Sequence, residues 1–200
     1  MHRIGVLISG RGSNLQAIID ASWAGALPAA VAVVVSNRSN ATGLERAQAA
    51  GIETVCLESR ELSGRQAYDR ALARVLCDRS IDLVCLAGFM RVVGAEFLDA
   101  FPNRILNIHP SLLPAFPGLD AQQQALDHGV RITGATVHIV TSTLDNGPIV
   151  VQAAVPVLDD DTVETLSARI LEQEHRIYPQ AIRLMLEGRW HLSGRRLIRT

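Results

Sequence analysis

Apolar residues along this chain fall into short β-rich runs separated by stretches with the spacing of an amphipathic helix. Ile4 to Ile8, Val31 to Val35, Glu53 to Leu57, Asp82 to Leu86, residues 104 to 109, Thr133 to Thr141 and Ile149 to Val157 read as strands. Between them, a helix from Ser13 carries Leu15, Ile18 and Ile19 on one face, and another runs from Thr42 to Ala50 and closes at Gly51. A longer helix from Ser63 to Arg79 shows Tyr68, Leu72, Val75 and Leu76 as its apolar stripe. Short helices are expected at Ala95 to Ala100 and at Gln122 to His128, the second ended by Gly129. A final long helix is predicted to start at a cap made by Asp161 with Glu164 and to reach Glu187, followed by a hairpin around Ser193-Gly194. This alternation predicts an α/β fold with a mostly parallel, twisted sheet flanked by helices. Without a repeat or a linker, the economical expectation is one domain over residues 1 to 200.

Composition narrows the possibilities. With 200 residues, 48% hydrophobic and a mean hydropathy of +0.19, the chain can bury a full core. Its net charge of -1 offers no basic footprint for nucleic acid, so an anionic ligand must be held locally. All 19 basic residues are arginine, which excludes Schiff-base chemistry and the lysine of a GxxxxGK[ST] phosphate loop. Cys56, Cys77 and Cys85 lack CxxC spacing and read as buried free thiols in a reducing cytoplasm. Met1-His2-Arg3 lacks a signal-peptide layout, and no apolar run is long enough for a bilayer, so no membrane partner is expected.

Candidate chemistry sits at the predicted strand ends. Ser9-Gly10-Arg11-Gly12-Ser13-Asn14 turns the first strand into a helix whose first N–H groups are free, which favours an anion. Leu15 replaces the third glycine of GxGxxG, and the second strand ends in Ser36-Asn37 without an acidic residue, so a phosphate monoester fits better than a dinucleotide. A Ser-Asn helix cap explains the same residues. At the end of the strand over 104 to 109, in Asn107-Ile108-His109-Pro110-Ser111-Leu112-Leu113-Pro114, Asn107 and His109 share a face. An amide donor beside a proton carrier suits an acyl carbon becoming tetrahedral, although both residues equally fit a strand terminus. Gly88-Phe89-Met90-Arg91 could line a flat pocket or belong to the core. Arg65 reads as an exposed charge unless a ligand carboxylate meets it, and His138 as a packed strand histidine. Asp145-Asn146-Gly147 fits a plain turn, and Glu174, His175 and Tyr178 fit a solvated helix face.

Taken in order, Leu7 to Gln16, Leu86 to Arg91, the Asn107 octapeptide, Gly134 to His138, Leu144 to Pro148 and Gln173-Glu174-His175 resemble the folate-dependent phosphoribosylglycinamide formyltransferase family. The resemblance covers nearly the whole chain. It implies a Rossmann-like formyltransferase domain that moves the formyl group of 10-formyltetrahydrofolate to glycinamide ribonucleotide in purine synthesis. By position it implies that Gly12, Ser13 and Asn14 hold the ribotide phosphate and that Glu174 meets the ribose or glycinamide end. It implies that Arg65 faces the folate glutamate tail, and that Met90, Arg91, Val92 and Val93, with Thr141, Ser142, Thr143, Leu144 and Asp145, enclose the pterin. Asn107, His109 and Asp145 become the catalytic trio, with Asn107 also at the folate. No metal is implied, only small-molecule partners, and the chain is expected as a monomer or homodimer. Gln122 and Ala115 stand where family members often carry histidine and lysine. A formyltetrahydrofolate hydrolase resembles the octapeptide but is expected to carry a further N-terminal domain. A non-catalytic ribotide-binding module is the alternative from a different class.

Overall fold

A computed structural model describes residues 1–58 and 62–200, which form two compact units, Met1–Leu106 and Asn107–Thr200. In the first unit, β1 (His2–Ile8), β2 (Ala29–Ser36), β3 (Glu53–Cys56) and β4 (Leu83–Leu86) pair in parallel in the order β3-β2-β1-β4. Their connections are helical: α1 (Ser13–Trp23), α2 (Thr42–Ala49) and α3 (Arg65–Cys77), with the short α4 (Ala95–Ala100) after β4. Ile4, Val6, Leu7 and Ile8 of β1 and Val33 to Val35 of β2 are completely buried, which explains why these strands are continuous apolar runs. Leu15, Ile18 and Ile19 of α1 and Tyr68, Leu72 and Leu76 of α3 are buried with them, as their spacing predicts.

β5 (Ile105–His109) crosses from the first unit into the second. There the strand order is β5-β6-β7-β9-β8, built from β6 (Ile132–Ile139), β7 (Ile149–Pro156), β8 (Trp190–Ser193) and β9 (Arg196–Arg199). β6 and β7 are antiparallel, β7 pairs in parallel with β9, and β8 and β9 form the closing hairpin. From Gln152 onward β7 alternates, with Ala153 and Val155 inside and Gln152, Ala154 and Pro156 outside, so one face of it meets solvent there. α5 (Ala121–His128) ends at Gly129, as expected, and α6 (Val163–Leu186) packs on β6 and β7. The mostly parallel α/β sheet flanked by helices is thus what the alternation produces.

Three expectations change. α6 is capped by Thr162, whose side chain accepts from the Thr165 N–H while Thr165 accepts from the Thr162 N–H; Asp161 and Glu164 do not form that box. Asp161 instead accepts the Leu158 N–H and two bonds from Arg169. Cys56 and Cys77 are exposed and only Cys85 is buried. Glu174 and Tyr178 do not lie on a solvated face: they continue the buried stripe of Leu166, Ile170, Ile177 and Ala181. The Leu113–Pro114 peptide is cis. No described helix is long and apolar enough to cross a membrane.

Candidate active site

In the second unit, β5 ends with the Asn107 and His109 side chains two positions apart, and the loop after β6 brings a carboxylate to them. His109 is buried, and its Nδ1 lies 3.5 Å from Oδ2 of Asp145. On the far side of the ring, Nε2 donates to the Phe116 carbonyl at 2.8 Å. Both ring nitrogens therefore face acceptors, the surroundings that a doubly protonated imidazole needs. Asp145 is fixed in turn by the Gly118 N–H, which donates to Oδ2 at 2.8 Å. Its own backbone is left-handed at φ 48, a conformation aspartate tolerates better than most residues. Burial raises the Asp145 carboxyl, but the neighbouring His138, the Gly118 N–H and the nearby His109 outweigh it and hold the group below the usual carboxylate range.

His138, expected to be ordinary core, belongs to the same cluster. It is 2% exposed, and its Nε2 lies 3.2 Å from Nδ2 of Asn107 and 3.7 Å from Oδ1 of Asp145. Nδ1 of His138 donates to the Ile139 carbonyl at 3.0 Å, which leaves Nε2 to accept one amide hydrogen of Asn107. That bond orients the amide, and the half-buried Asn107 keeps its second hydrogen available. The sequence signal was parity alone: Thr136 and His138 share one face of β6, which becomes informative only when β6 neighbours β5.

The loop from Pro110 to Gly118, which supplies the Phe116 carbonyl and the Gly118 N–H, is tied to β6 and β7. Thr136 Oγ1 accepts from the Leu113 N–H at 3.0 Å and donates to the Ser111 carbonyl at 2.7 Å. Gln152 Nε2 donates to the Leu113 carbonyl and to Thr136 Oγ1, each at 2.9 Å. Beyond β6, Thr141 is half-buried, and Ser142, Thr143 and Leu144 are exposed. Glu174 is buried on α6.

In the first unit, Gly12 takes the left-handed conformation at φ 69 and precedes α1, with Ser13 and Asn14 as its first two residues. N–H groups at the start of a helix are the donors an anion would use. Here α2 contributes something no motif announced: the Gly43 N–H donates to the Gly10 carbonyl at 3.0 Å, and a Cβ on Gly12 would come within 2.7 Å of the Gly43 Cα. Two glycines in direct contact let the loop and α2 close together.

Also in the first unit, the segment after β4 leaves Met90 and Val92 exposed at 59% and 54%, while Val93 is buried. Arg91 lies 4.1 Å over the ring of buried Tyr68. Burial pushes the Tyr68 phenol up to about 12. Arg65, half-exposed, is already engaged: Nη2 donates to the Val93 carbonyl at 2.9 Å, and Nε lies 3.9 Å from Asp69. Among the described residues, no group of three or more His, Cys, Asp or Glu is placed to hold a metal.

An oriented amide, an imidazole between two acceptors and an adjoining carboxylate, carried by a parallel α/β sheet, form the equipment of an acyl-group transferase. Residues 2–182 match the formyl transferase family, and the chain belongs to that family. It is 48% identical over 184 residues to the phosphoribosylglycinamide formyltransferase of Escherichia coli strain K12, covering 92% of this chain and 87% of that protein. The crystal structure of glycinamide ribonucleotide transformylase 1 from Symbiobacterium toebii is 60% identical with a TM-score of 0.98, covering 100% of this chain and 94% of that one. A Bos taurus relative, trifunctional purine biosynthetic protein adenosine-3, is 47% identical over 93% of this chain, which spans only 18% of that protein's length.

Proposed function

We propose that this chain transfers the formyl group of 10-formyltetrahydrofolate to the amine of glycinamide ribonucleotide, a step of purine biosynthesis. The observation that carries the reading is the cluster of Asn107, His109, His138 and Asp145, because each group is fixed by a partner before any substrate arrives. It is supported by membership of the formyl transferase family and by similarity to phosphoribosylglycinamide formyltransferases along almost the whole chain.

The uncharged amine of the ribotide attacks the formyl carbon, a C–N bond forms, and the formyl oxygen takes the negative charge. The free amide hydrogen of Asn107 meets that oxyanion, with protonated His109 as the second donor. Asp145 holds the imidazolium in place and, through water, accepts the proton lost by the attacking nitrogen. Collapse breaks the bond from the formyl carbon to the folate nitrogen, and His109 supplies that nitrogen with its proton. To do so, Nε2 exchanges the Phe116 carbonyl for the substrate. Formyl ends on the ribotide nitrogen and hydrogen on the folate nitrogen, so no covalent enzyme intermediate or metal is needed.

Gly12, Ser13 and Asn14 hold the ribotide phosphate at the start of α1, and Glu174 meets the ribose or glycinamide portion. By the family resemblance, the pterin falls to Met90, Arg91, Val92 and Val93 and to Thr141 to Asp145, with Arg65 at the glutamate tail. Measuring tetrahydrofolate release with and without glycinamide ribonucleotide tests the reading. Release that depends on the amine supports it; equal release in water alone indicates a hydrolase, and no release indicates a binding module.

A further inference from the structure

The segment assigned to the folate is tied through its backbone at both ends, while Val93 is buried and Arg91 lies over Tyr68 between them. At one end, the Ser9 hydroxyl accepts the Met90 N–H at 2.7 Å and donates to Asn37 Oδ1 at 2.6 Å, while the Ser9 N–H donates to the Gly88 carbonyl at 3.1 Å. At the other end, Oδ2 of Asp69 accepts the Gly94 N–H at 2.8 Å, next to the bond from Arg65 to the Val93 carbonyl. Asp69 is 2% exposed on α3, an unusual place for a carboxylate. Its fit to the segment is close: a Cβ on Gly94 would come within 2.6 Å of Asp69 Oδ2. At φ -105 Gly94 has ordinary backbone, so a larger residue there would have to displace the Asp69 carboxylate.

We propose that Asp69, with Ser9 at the opposite end, is a positioning residue that sets the shape of Met90 to Gly94 for the formylfolate. Asp69 touches no reacting atom. A buried carboxylate is expensive unless it is bonded, and here it accepts the backbone N–H that ends the segment. Burial raises the Asp69 carboxyl against the opposing effects of the Gly94 N–H and Arg65, so this site keeps an acid where an apolar residue would pack at lower cost. The exposed side chains of Met90 and Val92 can then meet a ligand without ordering the chain beneath them.

The inference rests on the assignment of this segment to the folate, and the experiment separates the two. Amide hydrogen exchange of residues 88 to 95 is measured in the wild type with and without a non-transferable 10-formylfolate analogue, and steady-state kinetics follow for Asp69→Ala, Asp69→Asn and Gly94→Ala. The expected result is protection of the segment by the analogue. Asp69→Ala raises KM for the formylfolate about tenfold to a hundredfold, with kcat and the KM for the ribotide within about twofold. Asp69→Asn, whose amide oxygen still accepts the Gly94 N–H, stays within about threefold of wild type. Gly94→Ala, which disturbs the same contact with the carboxylate retained, reproduces the KM effect and decides the matter if Asp69→Ala does not fold. No protection in the wild type overturns the folate assignment itself. Protection with an unchanged formylfolate KM in Asp69→Ala or Gly94→Ala, or an equal loss in kcat and both KM values, overturns the positioning role alone.

Discussion

Replacing Asp145 by asparagine removes one charge and almost no volume from the cluster, so it isolates the electrostatic part of the mechanism. The carboxylate and His109 are each 6% exposed and lie 3.5 Å apart. At an effective dielectric constant of about 20, the attraction between unit charges at that distance is on the order of 5 kcal/mol, which sets a ceiling. Part of it is offset by the loss of hydration, and a hydrogen bond to a charged group contributes about 1.5–3 kcal/mol net. At about 1.4 kcal/mol per decade, the loss from a transition state containing an imidazolium is roughly 10- to 150-fold in kcat. Stability moves much less, because the asparagine oxygen still accepts the Gly118 N–H. The assay is the rate of tetrahydrofolate release at saturating ribotide, with a thermal melt on the same preparation. A folded Asp145→Asn protein turning over at the wild-type rate would refute the charge-pair argument, and a parallel collapse of Tm would assign the residue to the fold.

Asn107→Ala removes the proposed oxyanion donor and should lower kcat by about 10²- to 10³-fold with a near-normal KM for both substrates; stopped assays over a range of both concentrations check this. Gly43→Ala should weaken the ribotide selectively, since the added Cβ would meet Ile8 Cδ1 at 2.5 Å and Gly10 O at 3.1 Å beneath the phosphate loop. A severalfold rise in ribotide KM with the formylfolate KM unchanged is the expected split. Because Asp145 sits below the usual carboxylate range in the folded state, its stabilising contribution is complete above the unfolded value near 3.9 and is lost as pH falls through the lower folded value. Urea melts of wild type and Asp145→Asn should therefore differ at neutral pH and converge only once pH has fallen through the lowered folded value.

The elements that could be read from the chain were those whose local pattern and tertiary fate agree. β1 from Ile4 and β2 up to Val35 are continuous apolar runs because both of their faces are covered, and α1 and α3 bury the stripes their spacing marks, except for half-buried Val75. Where one residue has two competing uses, local reading faltered. Asp161 has the right chemistry for a helix cap but is taken by Arg169, and Thr162 caps the helix one position later. Glu174 follows Leu166 and Ile170 at four-residue intervals, so its burial was legible, yet its charge argued for solvent. The trio of Asn107, His109 and Asp145 came from resemblance; the structure places His109 Nδ1 3.5 Å from Asp145 Oδ2. His138 and Gly43 were beyond reach, because their significance arises only when a neighbouring strand or loop is placed against them.

If Met90 to Gly94 receives the formylfolate as proposed, a segment tied at both ends by its main chain bears on how resistance to a folate mimic could arise. Exchanging Met90 or Val92 would alter a compound's outer contacts but leave the carbonyls and amides beneath it in place, so single changes there should offer little escape. On that assignment, escape routes would run through Ser9, Asp69 or Gly94, and a variant taking one of them would weaken the formylfolate along with its mimic.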